Sequence, residues 1–343
     1  MANAVDGLIY GAGQAARVAW FAGHYVAGRR LLKPMPRPDF PVGPSPDRAT
    51  LVRSMVELFR RDWAHIAAGT YAAPERDRGS LARLLRLSRD YFRDLPQVDR
   101  RRHAKVNDEP AQDARFAELP RYFRQNFHYQ SGGYLSEESA RLYDMQVDVL
   151  FTGAADAMRR QALPPLAEHF RGRNTRAMSL LDIGCGTGRL LGFARDTWPG
   201  LNLVGLDLSA PYLERARRRL RSSRRLQLLE GGGEAVPLPD ASQDAITCVF
   251  LLHELPKKIR AGMAQEMARV LKPGGRVVLV DSLQYDDKPE WNGLLDLFPY
   301  YFHEPYYADY VKSDVAAVMG AAGFVARETT LAYLAKVMVF DKP

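Results

Sequence analysis

The chain is predicted to be an α/β protein: a doubly wound, seven-stranded, mostly parallel sheet preceded by a mainly helical N-terminal extension. Three observations predict it. From Ser179 onward, short apolar runs alternate with helical patterns, which calls for a parallel sheet covered on both faces. The stretch Leu180-Leu181-Asp182-Ile183-Gly184-Cys185-Gly186-Thr187-Gly188-Arg189-Leu190 reads as a strand, a glycine turn and a helix. Upstream, residues 47–67 and 78–93 space their apolar side chains three and four apart, as helices do.

Residues 2–32 are rich in Ala, Val, Trp, Phe and Tyr, with Asn3, Asp6, Gln14, Arg17 and His24 near one stripe at helical spacing. This predicts an apolar helix with a narrow polar face. Arg17 and five glycines argue against a membrane span, so the helix either packs on the protein or lies in a membrane interface. Six prolines between Lys33 and Pro46 make residues 33–46 an extended connector. Residues 95–118 are highly charged and read as short helix mixed with loop. Tyr122, Phe123, Phe127, His128, Tyr129 and Tyr134 form an aromatic cluster. Ser136 is a candidate N-cap for a helix through Leu150, and a second helix from Ala154 to Phe170 should bend near Pro164-Pro165. Strands are expected near 179–183, 202–206, 226–229, 244–250, 276–281, 324–330 and 333–341, the last two as a hairpin. The expected division is a helical cap at 1–135 and a cofactor-binding domain at 136–343, with its core at 179–341 and an aromatic insertion at 283–310.

Two cysteines cannot supply a disulfide framework, and both Cys185 and Cys248 read as reduced thiols. No basic segment precedes the first apolar stretch, so a cytoplasmic protein is expected, with residues 2–32 a candidate for peripheral contact with the inner face of a membrane. Residues 1–130 hold 22 Lys and Arg against 14 Asp and Glu, while the rest of the chain is balanced. That excess suits an anionic membrane or nucleic acid, or simply solvated helix faces.

The chemistry is concentrated in the glycine turn. Glycines at alternate positions let backbone approach a ligand where a Cβ would collide. Asp207 lies nineteen residues past Gly188, at the end of the next strand-like run, where a carboxylate can accept both hydroxyls of a ribose. A dinucleotide fingerprint is one residue longer than this G-x-G-x-G, and Asp182 suits a cationic ligand better than a pyrophosphate. S-adenosylmethionine, with its ammonium and sulfonium, is such a ligand.

Four stretches in order, LDIGCGTG, VGLDLS, PLPDASQDAITCVFLLHELP and EMARVLKPGGRVVLVD, resemble the class I S-adenosylmethionine-dependent methyltransferases, and within them the UbiE-like branch. The resemblance covers about half the chain, from Ser179 to Asp341. It implies a Rossmann-like methyltransferase fold with an antiparallel last strand. It implies that Asp182 holds the methionine ammonium, directly or through water, that Gly184, Gly186 and Gly188 shape the loop, that Asp207 takes the ribose, and that Leu208 packs on the adenine. Cys185, Glu234, Ala235 and Phe250 complete the candidate cofactor contacts. Members of the family usually carry an acidic residue where this chain has Gly232, so adenine must be read by backbone, water or Glu234.

Methyl transfer needs the acceptor, the methyl group and the sulfur in line, with water excluded. His253 and Glu254 follow the fourth strand at the ligand end of the sheet and are candidate acid/base groups, with His303 and Glu304 in reserve. The insertion is dense in aromatics, including Trp291, Tyr301 and Tyr306, and predicts a lid over a flat apolar acceptor, with Tyr129, Tyr134 and Tyr143 on the opposite side. The histidines lack ligand spacing, so no metal site is expected. The leading expectation is a methyltransferase for a small aromatic or lipophilic, quinone-like acceptor. An RNA methyltransferase and a catalytically silent cofactor-binding protein are the alternatives. Nucleic acid is disfavoured because the basic half mixes Arg with Asp and Glu and shows no RNA-binding module. The oligomeric state is left open.

Overall fold

The computed structural model describes residues 4–74 and 81–343. Its centre is a seven-stranded sheet: β1 (Ser179–Ile183), β2 (Asn202–Asp207), β3 (Leu226–Glu230), β4 (Gln243–Val249), β5 (Leu271–Ser282), β6 (Val325–Ala332) and β7 (Ala335–Asp341). The strand order is β3-β2-β1-β4-β5-β7-β6. The pairings among β1 to β5 are parallel, and β7 runs antiparallel to both β5 and β6. The expected hairpin turns at Tyr333, whose φ is 62°. β5 begins earlier than expected. Pro273-Gly274-Gly275 forms a bulge within it, opposite Gln243 and Ala245. Gly274 there has φ 71°, and its N–H donates to the Lys342 carbonyl at 2.8 Å.

α6 (Leu163–Phe170), α7 (Arg189–Thr197), α8 (Ala210–Arg219), α9 (Lys257–Val270) and α12 (Val315–Ala321) pack on the sheet. Leu180, Leu181, Ile183, Ala245, Ile246 and Val277 to Val280 are fully buried, as strands covered on both faces must be. Chain order reverses between β1 and β4, which opens a crevice at the carboxyl ends of these strands.

The N-terminal part holds α1 (Ala4–Leu31), α2 (Arg48–Ala67), α3 (Leu81–Ala104) and α4 (Glu137–Leu150), the last capped by the Ser136 hydroxyl as predicted. Asn3 and residues 78–80 of the expected helices lie outside the described residues. α3 continues past Pro96 to Ala104, where loop and short helix were expected from the charge. The reason is that its acidic residues face inward and are paired: Asp90 with Arg141, Asp94 with the Ser131 hydroxyl at 2.5 Å, Asp99 with Arg102 at 2.7 Å. The predicted 154–170 helix is two, α5 (Ala155–Arg160) and α6. The break falls before the proline pair, which opens α6 where a missing N–H costs nothing.

α1 packs on the protein, with Phe21 against Met145 and Val149. Arg17 and His24 of its polar stripe point inward, while Asp6 is exposed. Arg17 pairs with Asp148 at 2.5 Å, His24 Nε2 lies 2.9 Å from the Ser88 hydroxyl, and the Tyr10 hydroxyl donates to Asp62. Asp62, fully buried on α2, also accepts a bidentate pair from Arg160 at 2.9 and 2.6 Å. Val5, Leu8, Ile9, Val26 and Leu31 are left exposed. α10 (Asn292–Tyr301) and α11 (Tyr307–Tyr310) form the insertion after β5.

Candidate active site

The glycine turn after β1 is held from behind. Asp144 of α4 accepts from the Thr187 hydroxyl at 2.7 Å and pairs with Arg219, which itself donates to the Thr187 carbonyl at 2.9 Å. Gly184 has φ 68°, and a Cβ there would lie 2.7 Å from Leu251 Cδ2. Gly186 has φ 54°, and its Cβ direction meets nothing nearer than Tyr212 at 4.0 Å, so this face of the turn is open to a ligand. Asp207 closes the other side. Its two carboxylate oxygens accept the Gly186 and Ser209 N–H groups at 2.8 Å each, which fixes the carboxylate and leaves a lone pair on each oxygen for a partner. Burial pushes its pKa up to about 6 against the pull of those two N–H groups.

Tyr122, Phe123, Phe127, Tyr134, Tyr143, Tyr212, Phe250 and Leu251 wall the crevice with Leu208, and Gly231–Gly233 form its far rim. Its charged side chains are Asp207, Glu234 and Glu254, with no Lys or Arg among the lining residues. An acidic, aromatic wall suits a cationic nucleoside and repels a pyrophosphate. The Tyr122 hydroxyl donates to Glu234 at 2.6 Å across the rim. The free space is ≈ 80 Å³, against about 300–1,000 Å³ for ligand pockets in general, so a nucleoside needs this rim to widen.

These features fit what the comparisons give. Residues 180–275 match the family described as a methyltransferase domain. The chain is similar to the ubiquinone/menaquinone biosynthesis C-methyltransferase UbiE of Methylobacterium nodulans, 32% identical over 47% of this chain and 62% of that protein. The demethylmenaquinone methyltransferases of Thermus thermophilus (33% identical, 42% of this chain, 62% of that one) and Deinococcus radiodurans (34%, 40% and 55%) are similar in the same way. Over this C-terminal part the chain is thus similar to class I, UbiE-like methyltransferases. It spans less than two thirds of the length of these relatives. The cofactor of such a domain is S-adenosylmethionine, and the open Gly186 face, the fixed Asp207 carboxylate and the acidic lining fit it.

The remaining expected residues divide. Gly184, Gly186, Asp207, Leu208, Glu234, Phe250, Tyr134, Tyr143 and Glu254 line the crevice. Asp182 does not. It lies beneath the turn, 2% exposed, and accepts from the Thr247 hydroxyl at 2.7 Å, and burial pushes its pKa up to about 7. Cys185 and Gly188 also face inward, Cys185 beside Gly205 and Gly188 against Ala216. Ala235 is exposed outside the rim.

His253 is behind the wall. Its Nδ1 sits 2.5 Å from Asp281. Burial alone would lower its pKa, but the Asp281 carboxylate outweighs it and raises the pKa to about 10, so the ring is a held imidazolium and not a base near neutrality. Glu254 reaches the crevice, accepting from the Tyr134 hydroxyl at 2.6 Å. Burial, then the nearby Glu304 carboxylate, pushes its pKa up. His303 faces away, 2.8 Å from Gln125 and 3.2 Å from Asn107.

The insertion does not form the crevice wall. Trp291 is buried against Tyr333, and the half-buried Tyr301 stacks edge-on with Tyr300. The insertion holds the proline-rich connector instead: Tyr300 donates to the Pro36 carbonyl at 3.0 Å, and Gly293 donates to that of Pro44 at 2.8 Å. Tyr306 accepts from Gln125 at 3.0 Å and Tyr129 packs on His303, both behind the lining. The wall opposite the cofactor loop comes from residues 122–134. Tyr122, Phe123 and Phe127 stood out in the sequence only as an aromatic cluster, and nothing linked them to a site 50 residues later.

The fold also gathers one metal-type group of side chains among the described residues. His128, Glu254 and Glu304 bring one ligand-type atom each within 4.8 Å of one another. They are too far apart in sequence for any spacing to reveal it.

Proposed function

We propose that this protein transfers the methyl group of S-adenosylmethionine to a small aromatic or lipophilic, quinone-like acceptor. The observation that carries the reading is the crevice itself: a glycine turn and a fixed Asp207 carboxylate on one side, and a wall of Tyr and Phe rings with one buried carboxyl, Glu254, on the other. The similarity to a ubiquinone/menaquinone biosynthesis C-methyltransferase and to demethylmenaquinone methyltransferases supports a quinone-related acceptor. In this reading residues 136–343 carry the transfer chemistry and residues 1–135 cap it.

The cofactor supplies an electrophilic methyl on a sulfonium sulfur. Asp207 accepts the ribose hydroxyls. Gly184 and Gly186 let the backbone of the turn approach the methionine portion. Leu208 covers the adenine, and Glu234 on the rim is the group able to accept from its amino nitrogen. Asp182 acts through the turn it supports. Tyr134, Tyr143, Phe127 and Phe123 form a flat apolar face that orients a ring and excludes water. Glu254 is the proton acceptor for an acceptor hydroxyl, because a carboxylate with a raised pKa is poised near neutrality. His253 and Asp281 hold the turn that carries Glu254. We further propose a cytoplasmic protein whose outward Leu8, Ile9, Val26 and Leu31, with Arg29 and Arg30 beside them, meet an anionic membrane that holds the acceptor. Among the described residues no helix is long and apolar enough to cross a membrane.

The test is incubation of the full chain with methyl-labelled S-adenosylmethionine and fractionated cell extract. Label in the lipid fraction is expected; label in nucleic acid, or none, overturns the reading.

A further inference from the structure

We infer that His128, Glu254 and Glu304 form a binding site for a divalent first-row transition ion on the acceptor side of the crevice. The three residues come from the segment before α4, the turn after β4 and the insertion after β5, and their donor atoms all lie within 4.8 Å of one another. Metal–ligand bonds of about 2.0–2.2 Å put neighbouring donors roughly 3–4 Å apart, so a side-chain shift on the order of 1 Å closes the set.

Glu304 supplies the independent sign of a ligand. It is 3% exposed, and neither of its carboxylate oxygens receives a hydrogen bond among the described residues. His128 Nε2 lies 3.0 Å from Glu304 Oε1, near enough to pair yet without hydrogen-bond alignment. A buried carboxylate without hydrogen bonds is costly. Here a second carboxyl, that of Glu254, sits beside it, and only its Oε1 is engaged, by Tyr134. A doubly charged ion between the two carboxylates and the imidazole offsets both the burial and the repulsion. One imidazole with two carboxylates suits Mn²⁺, Fe²⁺ or Zn²⁺ better than Ca²⁺ or Mg²⁺, which take all-oxygen sets.

Glu254 belongs to the crevice wall and His128 and Glu304 lie behind it, so an ion held there would adjoin the acceptor side of the crevice. With the ion bound, Glu254 would serve as a ligand in place of its base role, and an acceptor oxygen on the ion would be more acidic and fixed in place. That last role rests on the proposed methyl transfer; ion binding does not.

The experiment uses the full chain, stripped with a chelator and then titrated calorimetrically with Zn²⁺ and, separately, Mn²⁺. Saturable binding of about one ion per chain is expected, weakened about 10–100-fold by Glu304→Gln and by His128→Ala. S-adenosylhomocysteine binding to each metal-free variant checks that it has folded. Absence of saturable binding, or equal binding by wild type and a folded Glu304→Gln variant, overturns the inference. The first result would mean that His128 and Glu304 form only an ion pair, and the second that the ion sits elsewhere. Either leaves the methyl-transfer reading to its own labelling test.

Discussion

The hydroxyl of Tyr122 donates to Glu234 at 2.6 Å, joining the segment before α4 to the loop after β3 across the rim of the crevice. In the proposed reading Glu234 accepts from the adenine, and Tyr122 competes for it. Tyr122→Phe is expected to tighten S-adenosylhomocysteine binding by up to about tenfold, the worth of one hydrogen bond to a charged group. Glu234→Ala is expected to weaken it. Calorimetry on both variants checks this, and a loss of affinity in Tyr122→Phe would refute the competition.

Asp207 gives a second prediction. Asp207→Ala should weaken cofactor binding at least about tenfold, since two charge-assisted hydrogen bonds to ribose go with it. Its pKa of about 6 adds a pH dependence. Protonation removes the better acceptor, so affinity should fall as pH drops through 6. Calorimetry at pH 7.5 and 5.0 measures it; equal affinity at both would remove Asp207 from the site.

Asp182 bears on stability. Its folded pKa of about 7 lies above the ordinary carboxylate value of about 3.9. Between those values the folded chain holds a proton that the unfolded chain has released. Stability should therefore decline as pH rises from 4 to 7, with the full penalty present above 7. Asp182→Asn keeps an acceptor for Thr247 and sheds the charge. We expect it to stabilise the cofactor-free protein by about 2 kcal/mol at pH 8 and by little at pH 4, read from urea denaturation. An equal effect at both pH values would contradict the buried-charge account.

His253 behaves in the opposite sense. Its folded pKa, about 10, exceeds the unfolded value of about 6.5. The pair with Asp281 stabilises fully below pH 6.5, and the contribution is lost as pH rises through 10. His253→Ala strands the buried Asp281 carboxylate and should cost roughly 3–5 kcal/mol. The pH–rate profile of the wild-type protein should show no limb near 6.5 from this residue. A limb there that disappears in His253→Gln would restore it as a base.

The exposed side of α1 supplies the membrane prediction. Leu8→Glu combined with Val26→Glu touches neither the inward polar stripe nor the crevice. The double variant should lose most of its flotation with vesicles containing anionic lipid while binding cofactor normally. Wild-type protein that fails to float with such vesicles would rule out the contact.

What could be read from the sequence followed local chemistry. Glycine at 184 and 186, Asp207, and the apolar runs of β1, β2, β4 and β7 are dictated within a few residues, and these strands lie close to where the pattern puts them. The N-terminal helices could not be read so well. Apolar patterning predicts which side of a helix is buried, yet α1, α2 and α3 dock partly through Arg17, Asp62 and Asp94. A polar residue satisfied by a distant partner looks the same in sequence as one in water. The same blindness misplaced Asp182, whose Thr247 partner lies on another strand. It put the aromatic lid on the insertion and, of residues 122–134, brought only Tyr129 and Tyr134 to the site, and it hid the meeting of His128, Glu254 and Glu304.

Asp144 reaches from α4 to both Thr187 and Arg219, so the turn that receives the cofactor is braced by a helix outside the 180–275 family match. A chimera transplanting only the matched segment into another host would leave that brace behind. The graft should inherit the strand and helix scaffold but a slack loop, and a swap meant to carry the binding properties over intact has to begin no later than Ser136.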